Sequence, residues 1–267
     1  KGALADPLPL SLGVVGSDGG TDESWEMMTA ADLVVFLGCR AGSTTTKRWE
    51  APKPGTRIVH FDIDPMVIGA NYPTEVGVVG DLTLSLDMLA EALEARAPRR
   101  FGGAAQVADI KARKAAKFQA LAKRDDRPIL PERIIGTLNR LLPEEAVVVS
   151  DPGTSCPYYN AYSEVSQPGR RYITNRAHGA LGYALGASLG AWFGRPDAKV
   201  IALMGDGSFA FSCGDLETVV RCRAPITFIV FNNASFGWIK ASQYADKDAR
   251  YYNVDFNRTD NAKVAEG

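Results

Sequence analysis

Gly205–Asn233 reads GDGSFAFSCGDLETVVRCRAPITFIVFNN, and this stretch decides the fold. Ahead of it, Lys199–Met204 (KVIALM) is a continuous apolar run, the pattern of a strand buried on both faces of a parallel sheet. Gly205 and Gly207 flank Asp206, which predicts a tight turn where backbone amides approach an anion. Asp206 and the Ser208 hydroxyl add hard oxygen atoms suited to a divalent cation. A helix with Leu216, Val219 and Val220 on one face is expected next, then a second buried strand, Ile226–Phe231 (ITFIVF), ending in Asn232 and Asn233. If the two strands are neighbours in one parallel sheet, both polar ends lie at its carboxyl edge, where open α/β sheets bind ligands. Asp206 and Asn233 could then share one ion. GDG or NN alone is an ordinary turn signal, and only their combination, with Phe236-Gly237-Trp238 behind, points to a site.

Outward from this stretch, the chain of 267 residues has room for two domains. Its 30 basic and 31 acidic residues nearly cancel, which argues against nucleic acid or an anionic membrane as a partner. Cys39, Cys156, Cys213 and Cys222 are scattered, without a CxxC pair or metal-ligand spacing, and are expected to be reduced, mostly buried thiols of a cytoplasmic protein. The most apolar segment, Ala177–Phe193, is short, rich in Gly and Ala, and carries His178 and Ser188; it predicts a core helix rather than a membrane span.

Residues 1–97 alternate short apolar strands with helical stretches, as in a doubly wound α/β unit. Leu33–Leu37 and Arg57–Ile63 are the clearest strands, and Asp81 opens a helix in which Leu84, Met88, Leu89 and Leu93 recur at helical spacing. Asp62 and Asp64, at a strand end, could hold a ribose hydroxyl or could cap a turn, and a nucleotide-shaped crevice is expected near Arg40, Ser43, Asp62 and Asp64. Residues 98–128, with Pro98, Arg99 and Arg100 and then an Ala- and Lys-rich helix, read as an interdomain connection with a solvated basic face. Residues 129–267 form the second domain. Pro131-Glu132 starts an amphipathic helix through Leu142, and the strand Ala146–Val149 runs into Gly153, Thr154 and Ser155, which suit a diphosphate or an ordinary helix cap. Arg176–Tyr183 is expected to open a helix whose small residues pack closely on a ligand or another helix, with His178 structural or near the pocket rim.

From Glu132 to about Gln243 the chain resembles the diphosphate-binding domain of the thiamine diphosphate-dependent superfamily of acetolactate synthase and pyruvate decarboxylase. It carries GTS, then GAL, then GDG with NN, in that order. The resemblance implies that Gly153, Thr154 and Ser155 approach the diphosphate, with the amides of Gly207 and Ser208. It implies that the Gly179 carbonyl accepts from the 4'-amino group and that Leu181, beside Ala180, is the apolar wedge under the bent cofactor. Mg2+ would be held by Asp206, Asn233 and the carbonyl of Ser235, with Gly205, Phe236 and Gly237 completing the cofactor-binding set. Leu181 stands where acetolactate synthases usually have Met, and Asp215 where an acid before Leu is often Glu.

Residues 1–97 resemble the central domain of the same enzymes, above all in HFDIDPMVIGANYP. That domain binds FAD, ADP or nothing in different members; here Ser17-Asp18-Gly19-Gly20-Thr21 lacks the His of the flavin-binding loop, which counts against flavin. The fold implied is α/β, two doubly wound domains with mainly parallel sheets, both incomplete in this chain. The activity implied is decarboxylation or carboligation of 2-oxo acids, with oxalyl-CoA or 2-hydroxyacyl-CoA lyase and a non-catalytic cofactor-binding module as alternatives. The family's catalytic glutamate comes from an N-terminal pyrimidine-binding domain of a partner subunit in a homodimer or homotetramer. No counterpart is found in this chain, so no catalytic residue is assigned in it, and the chain alone is expected to be inactive.

Overall fold

A computed structural model describes residues 1–96, 103–169 and 171–267; residues 98–102 of the expected connection, with Pro98, Arg99 and Arg100, lie outside the described residues. Contacts divide the chain into two compact units, Leu12–Ala115 and Lys1–Ser11 with Ala116–Gly267. Both are α/β, and every strand pairing within the two sheets is parallel.

In the unit of residues 12–115, α1 (Asp22–Ala30) starts in a capping box formed by Thr21 and Ser24. The strands β1 (Leu33–Leu37), β2 (Arg57–Asp62) and β3 (Val76–Val79) then pair in the order β1-β2-β3. The short, Gly-containing β3 has no counterpart in the sequence expectations. Phe36 and Ile58, on the same sheet face but offset in register, pack with Ala41, Met28 and Tyr72. The helix α2 (Leu82–Ala95) forms as expected, with the Asp81 carboxylate accepting from the Leu84 amide at 3.1 Å. Its apolar stripe packs only in part: Leu89 is half-buried, whereas Leu84, Met88 and Leu93 are exposed, as are Leu33, Val35 and Leu37 of β1. Helical spacing records a face suited to burial, not the presence of a neighbour to bury it.

The other unit contains the end of α3 (Gly103–Ala122), from Ala116 on, and then α4 (Pro131–Leu141), β4 (Val147–Ser150), α5 (Ser155–Tyr162), β5 (Tyr172–Thr174), α6 (Tyr183–Gly194), β6 (Val200–Gly205), α7 (Asp206–Ser212), α8 (Leu216–Arg221), β7 (Thr227–Phe231), α9 (Gly237–Asp246) and α10 (Asn261–Glu266). The sheet order is β5-β4-β6-β7. Strand alternation divides the core between its faces. Val147, Val149, Val200, Ala202 and Met204 pack against Ala184, Leu185, Phe209 and Val219, whereas Val148, Ile201 and Leu203 pack against Phe118, Ile135, Leu138 and Tyr159. Helices therefore cover both faces, and β4 and β6 are buried throughout their hydrophobic length as a doubly wound sheet requires.

Four expectations are corrected. The strand Ile226–Phe231 is real but half-buried, because β7 lies at the end of the sheet order. Val220 is 74 % exposed while its neighbour Val219 is buried, so the helical face predicted to hold both holds only one. No separate turn follows β6: α7 begins at Asp206 itself. Residues 176–182 are turns rather than helix, since Gly179 and Gly182 adopt left-handed φ of 70° and 85°, and α6 starts only at Tyr183. Of the four cysteines, all free, only Cys156 is fully buried. Among the described residues no helix is long and apolar enough to cross a membrane.

Candidate functional site

β4, β6 and β7 run parallel and end at Ser150, Gly205 and Phe231 on one edge of the sheet, so the segments leaving them meet there. They enclose a cavity of about 150 Å³. Gly153 and Thr154 line it from the segment after β4, and Gly179 and Leu181 from the turn before α6. Gly205, Asp206, Gly207 and Ser208 line it from the β6–α7 junction, and Asn233, Ser235, Phe236 and Gly237 from the segment after β7. A Cβ added at Gly153, Gly179 or Gly205 would meet nothing within 4 Å, so these glycines leave space on the cavity side.

Asp206 is 5 % exposed, and both its oxygens are oriented by main-chain amides. Oδ1 accepts from the Gly207 amide at 2.9 Å and Oδ2 from the Ala234 amide at 2.6 Å, which ties the end of β6 to the segment after β7. Asn233 Oδ1 accepts from the Ser235 amide at 3.2 Å, and the Ser235 carbonyl accepts from the Gly237 amide at 2.9 Å. Carboxylate, side-chain amide and main-chain carbonyl are hard oxygen donors of the kind Mg2+ or Ca2+ takes. As three donors they would leave half of an octahedral shell to phosphate oxygens and water, and among the described residues no cluster of three His, Cys, Asp or Glu side chains offers an alternative cage. The donor chemistry and the open glycine side therefore fit a metal-bound diphosphate.

Close approach shapes this corner. A Cβ on Gly237 would lie 2.7 Å from Asn233 Nδ2 and 3.2 Å from Thr154 Oγ1, and one on Gly207 would lie 2.5 Å from the Phe236 ring. The segment after β7 is clamped by residues 254–256, through Phe236 N to Val254 O at 2.9 Å and Phe256 N to Ala234 O at 3.0 Å. Phe256 also meets Phe236 edge-on at 5.2 Å.

Two sequence-predicted residues lie outside the cavity lining. Ser155 is fully buried, its hydroxyl 3.2 Å from that of Ser150, and Ala180 is exposed, its carbonyl accepting from Asn175 Nδ2 at 3.0 Å. His178 and Asp215 are exposed and do not line the cavity. Sequence reasoning left Arg176 without a role. It lines the cavity, donates to the Pro152 carbonyl at 2.7 Å and stacks over Trp238 at 5.7 Å. Asp151 carried no role either, although it is fully buried and its carboxyl is pushed up to about 6 by that burial. In both cases the signal available was an ionisable residue beside a motif.

In the other unit Asp62 ends β2 at the carboxyl edge. Asp62 Oδ1 accepts from the Asp64 amide at 3.0 Å and Asp64 Oδ1 from the Met66 amide at 2.9 Å, so both acids organise the turn. Arg40 contributes its carbonyl to Asn71 Nδ2 at 2.8 Å.

A parallel α/β domain with a cavity at its carboxyl edge, lined by glycines, by hydrophobic side chains and by oxygen donors, defines a broad class of cofactor-binding proteins. Comparison narrows it. Residues 151–267 match the thiamine pyrophosphate enzyme C-terminal TPP-binding domain, and residues 1–89 match the central domain of the thiamine pyrophosphate enzymes. The chain belongs to this family. It is 26 % identical over 279 residues to a probable acetolactate synthase large subunit of Methanococcus aeolicus, covering 100 % of this chain and 46 % of that protein. It is 28 % identical over 250 residues to the acetolactate synthase isozyme 3 large subunit of Escherichia coli, covering 91 % and 42 %. A putative thiamine pyrophosphate-containing protein of Bacillus subtilis is 27 % identical over 264 residues, covering 96 % and 44 %. The chain thus spans less than half the length of these relatives.

Proposed function

We propose that residues 129–267 bind thiamine diphosphate through Mg2+ and that the complete protein uses it to decarboxylate or join 2-oxo acids in the manner of an acetolactate synthase. The observation that carries this reading is the meeting of Gly153 and Thr154, Asp206 to Ser208, and Asn233 to Gly237 around one cavity at the sheet edge. In it, Asp206, Asn233 and the Ser235 carbonyl hold the ion, while Gly153, Thr154 and the amides of Gly207 and Ser208 face the diphosphate. Gly179 offers its carbonyl and Leu181 an apolar surface to the rest of the cofactor. When bound, thiamine diphosphate supplies the electron sink that lets CO2 leave a 2-oxo acid. The chain's own part is to bind and orient, with the ion serving as a template between protein and diphosphate. The acid that serves the aminopyrimidine is assigned to a pyrimidine-binding domain of a partner subunit, in a homodimer or homotetramer.

The test is a titration of thiamine diphosphate into the full-length protein with Mg2+, with and without a chelator. Asp206→Ala and Asn233→Ala are each expected to weaken binding by on the order of a hundredfold, because each removes one of few protein oxygens on the ion. Chelation of the metal should do the same to the wild type. Wild-type affinity in both variants would refute the assignment.

A further inference from the structure

We infer that Asp151 is the positioning residue of this cavity, its buried carboxylate holding the turn that carries Gly179 and Leu181 in register with the segment that carries Gly153 and Thr154. The inference rests on the proposed diphosphate site and adds to it a residue that contacts neither metal nor cofactor. Asp151 follows β4 directly and is 0 % exposed. Its Oδ1 accepts from the Ala184 amide at 3.2 Å, in the first turn of α6, and across 33 residues of sequence. The amides of Tyr183 and Gly182 and the hydroxyl of Ser208 also act on the carboxyl, opposing the rise that burial causes. One side chain therefore reaches the first turn of α6, Ser208 in the first turn of α7 and, through its own backbone, the Gly153 segment; the cavity is bordered by the turn that leads into α6, by the first turn of α7 and by the Gly153 segment.

An ordinary helix cap would not need this arrangement. Ser, Thr or Asn would satisfy the α6 amides at a small cost in desolvation, whereas a buried carboxylate is expensive unless its lone pairs are used. Here Oδ2 accepts no hydrogen bond within geometric limits among the described residues, so the carboxylate's acceptor capacity is not filled by the cap alone. A charged group set at the junction of three segments resists relative movement of them, because shifting any one strips hydrogen-bond donors from a charge that water cannot reach. The turn before α6 is tied at its start, by Arg176 to the Pro152 carbonyl at 2.7 Å and by Asn175 Nδ2 to the Ala180 carbonyl at 3.0 Å. At its end Gly179 and Gly182 give it a backbone with few steric restraints, and there Asp151 supplies the tie to α6.

The experiment uses inorganic pyrophosphate with Mg2+, which addresses the diphosphate segment without the rest of the cofactor. Amide hydrogen exchange is read in the full-length wild type and in Asp151→Asn. Saturating the wild type is expected to slow exchange at residues 206–208 and, through Asp151, at residues 182–184 by on the order of fivefold. In Asp151→Asn the slowing at 206–208 should persist while that at 182–184 falls away, a result that a purely structural cap would not produce. No protection at 206–208 in the wild type would mean that the diphosphate site itself is wrong. Protection at 206–208 without any change at 182–184 in the wild type would overturn the positioning role, and this arm needs no variant to fold. Equal slowing at 182–184 in wild type and Asp151→Asn would overturn it as well.

Discussion

Gly237 sits where the segment after β7 meets the segment after β4, with Asn233 Nδ2 and Thr154 Oγ1 both within contact distance of where its Cβ would be. Gly237→Ala is expected to move the Asn233 amide or the Thr154 hydroxyl by several tenths of an ångström, weakening Mg2+-dependent thiamine diphosphate binding by on the order of tenfold while costing only about 1 kcal/mol of stability. Calorimetric titration beside a thermal melt reads both, and undiminished affinity would show that this corner does not face the ligand. Asp151 carries a pH signature. Its carboxyl is raised from 3.8 to about 6, so between those values the folded chain keeps a proton the unfolded chain has lost. Stability from this group is therefore full below the lower value and is lost as pH rises through the upper one. Asp151→Asn does not titrate, so its stability relative to wild type should improve between pH 4 and pH 7, by at most about 3 kcal/mol. Melts at the two pH values check it, and a flat difference would mean that the carboxyl does not titrate in that window. The residues readable in advance were those whose types repeat a chemical need at strand ends, Asp206 and Asn233 above all. Asp151 and the clamp at residues 254–256 were not, because their roles depend on who their neighbours are across 33 and about 20 residues of chain.

At the scale of elements, β4 and β6 were legible because fully buried parallel strands must be apolar without interruption. β7 carries a similar apolar run, yet its place at the end of the sheet order leaves it half exposed, a fact no local pattern encodes. The start of α6 was misplaced for a different reason. Small residues from Ala177 onward suit a helix as well as a turn, and the decision is made by the left-handed φ of Gly179 and Gly182. α8 offers a direct test of which apolar positions matter. Val219 is buried in the cluster with Met204 and Phe209, while adjacent Val220 is 74 % exposed. Val219→Ala should cost about 2 kcal/mol by losing buried methyl groups and leaving a void, whereas Val220→Ala should stay within about 0.5 kcal/mol of wild type. Denaturant melts of the two variants separate these outcomes, and equal losses would mean that the helix presents a different face.

Across the whole molecule, the start of the chain belongs to the unit that carries the cofactor cavity, and a buried ion pair helps hold it there. Lys1 Nζ lies 2.7 Å from Asp6 Oδ2, with the two side chains 4 % and 16 % exposed, and donates to the Ser163 carbonyl at 2.8 Å, 162 residues away. Asp6 Oδ2 also accepts from the Val165 amide at 2.7 Å, and the Asp6 amide donates back to the Val165 carbonyl at 2.9 Å. Burial pulls the Lys1 ammonium below its ordinary pKa while Asp6 opposes that pull, so the carboxylate is what makes the buried charge tolerable. Asp6→Ala would leave the ammonium without its counter-charge and the Val165 amide without an acceptor, at an expected cost of about 3 kcal/mol. Lys1→Met added to Asp6→Ala should recover a large part of that loss, because an apolar side chain of similar length suits the site once the charge is gone. The cavity at the sheet edge should keep its affinity for thiamine diphosphate in the double variant, since neither residue lines it. Thermal melts of the single and double variants decide the point: if Asp6→Ala and the double variant lose the same stability, the pair contributes no coupling and the main-chain bonds to Val165 and Gly169 alone hold the start of the chain.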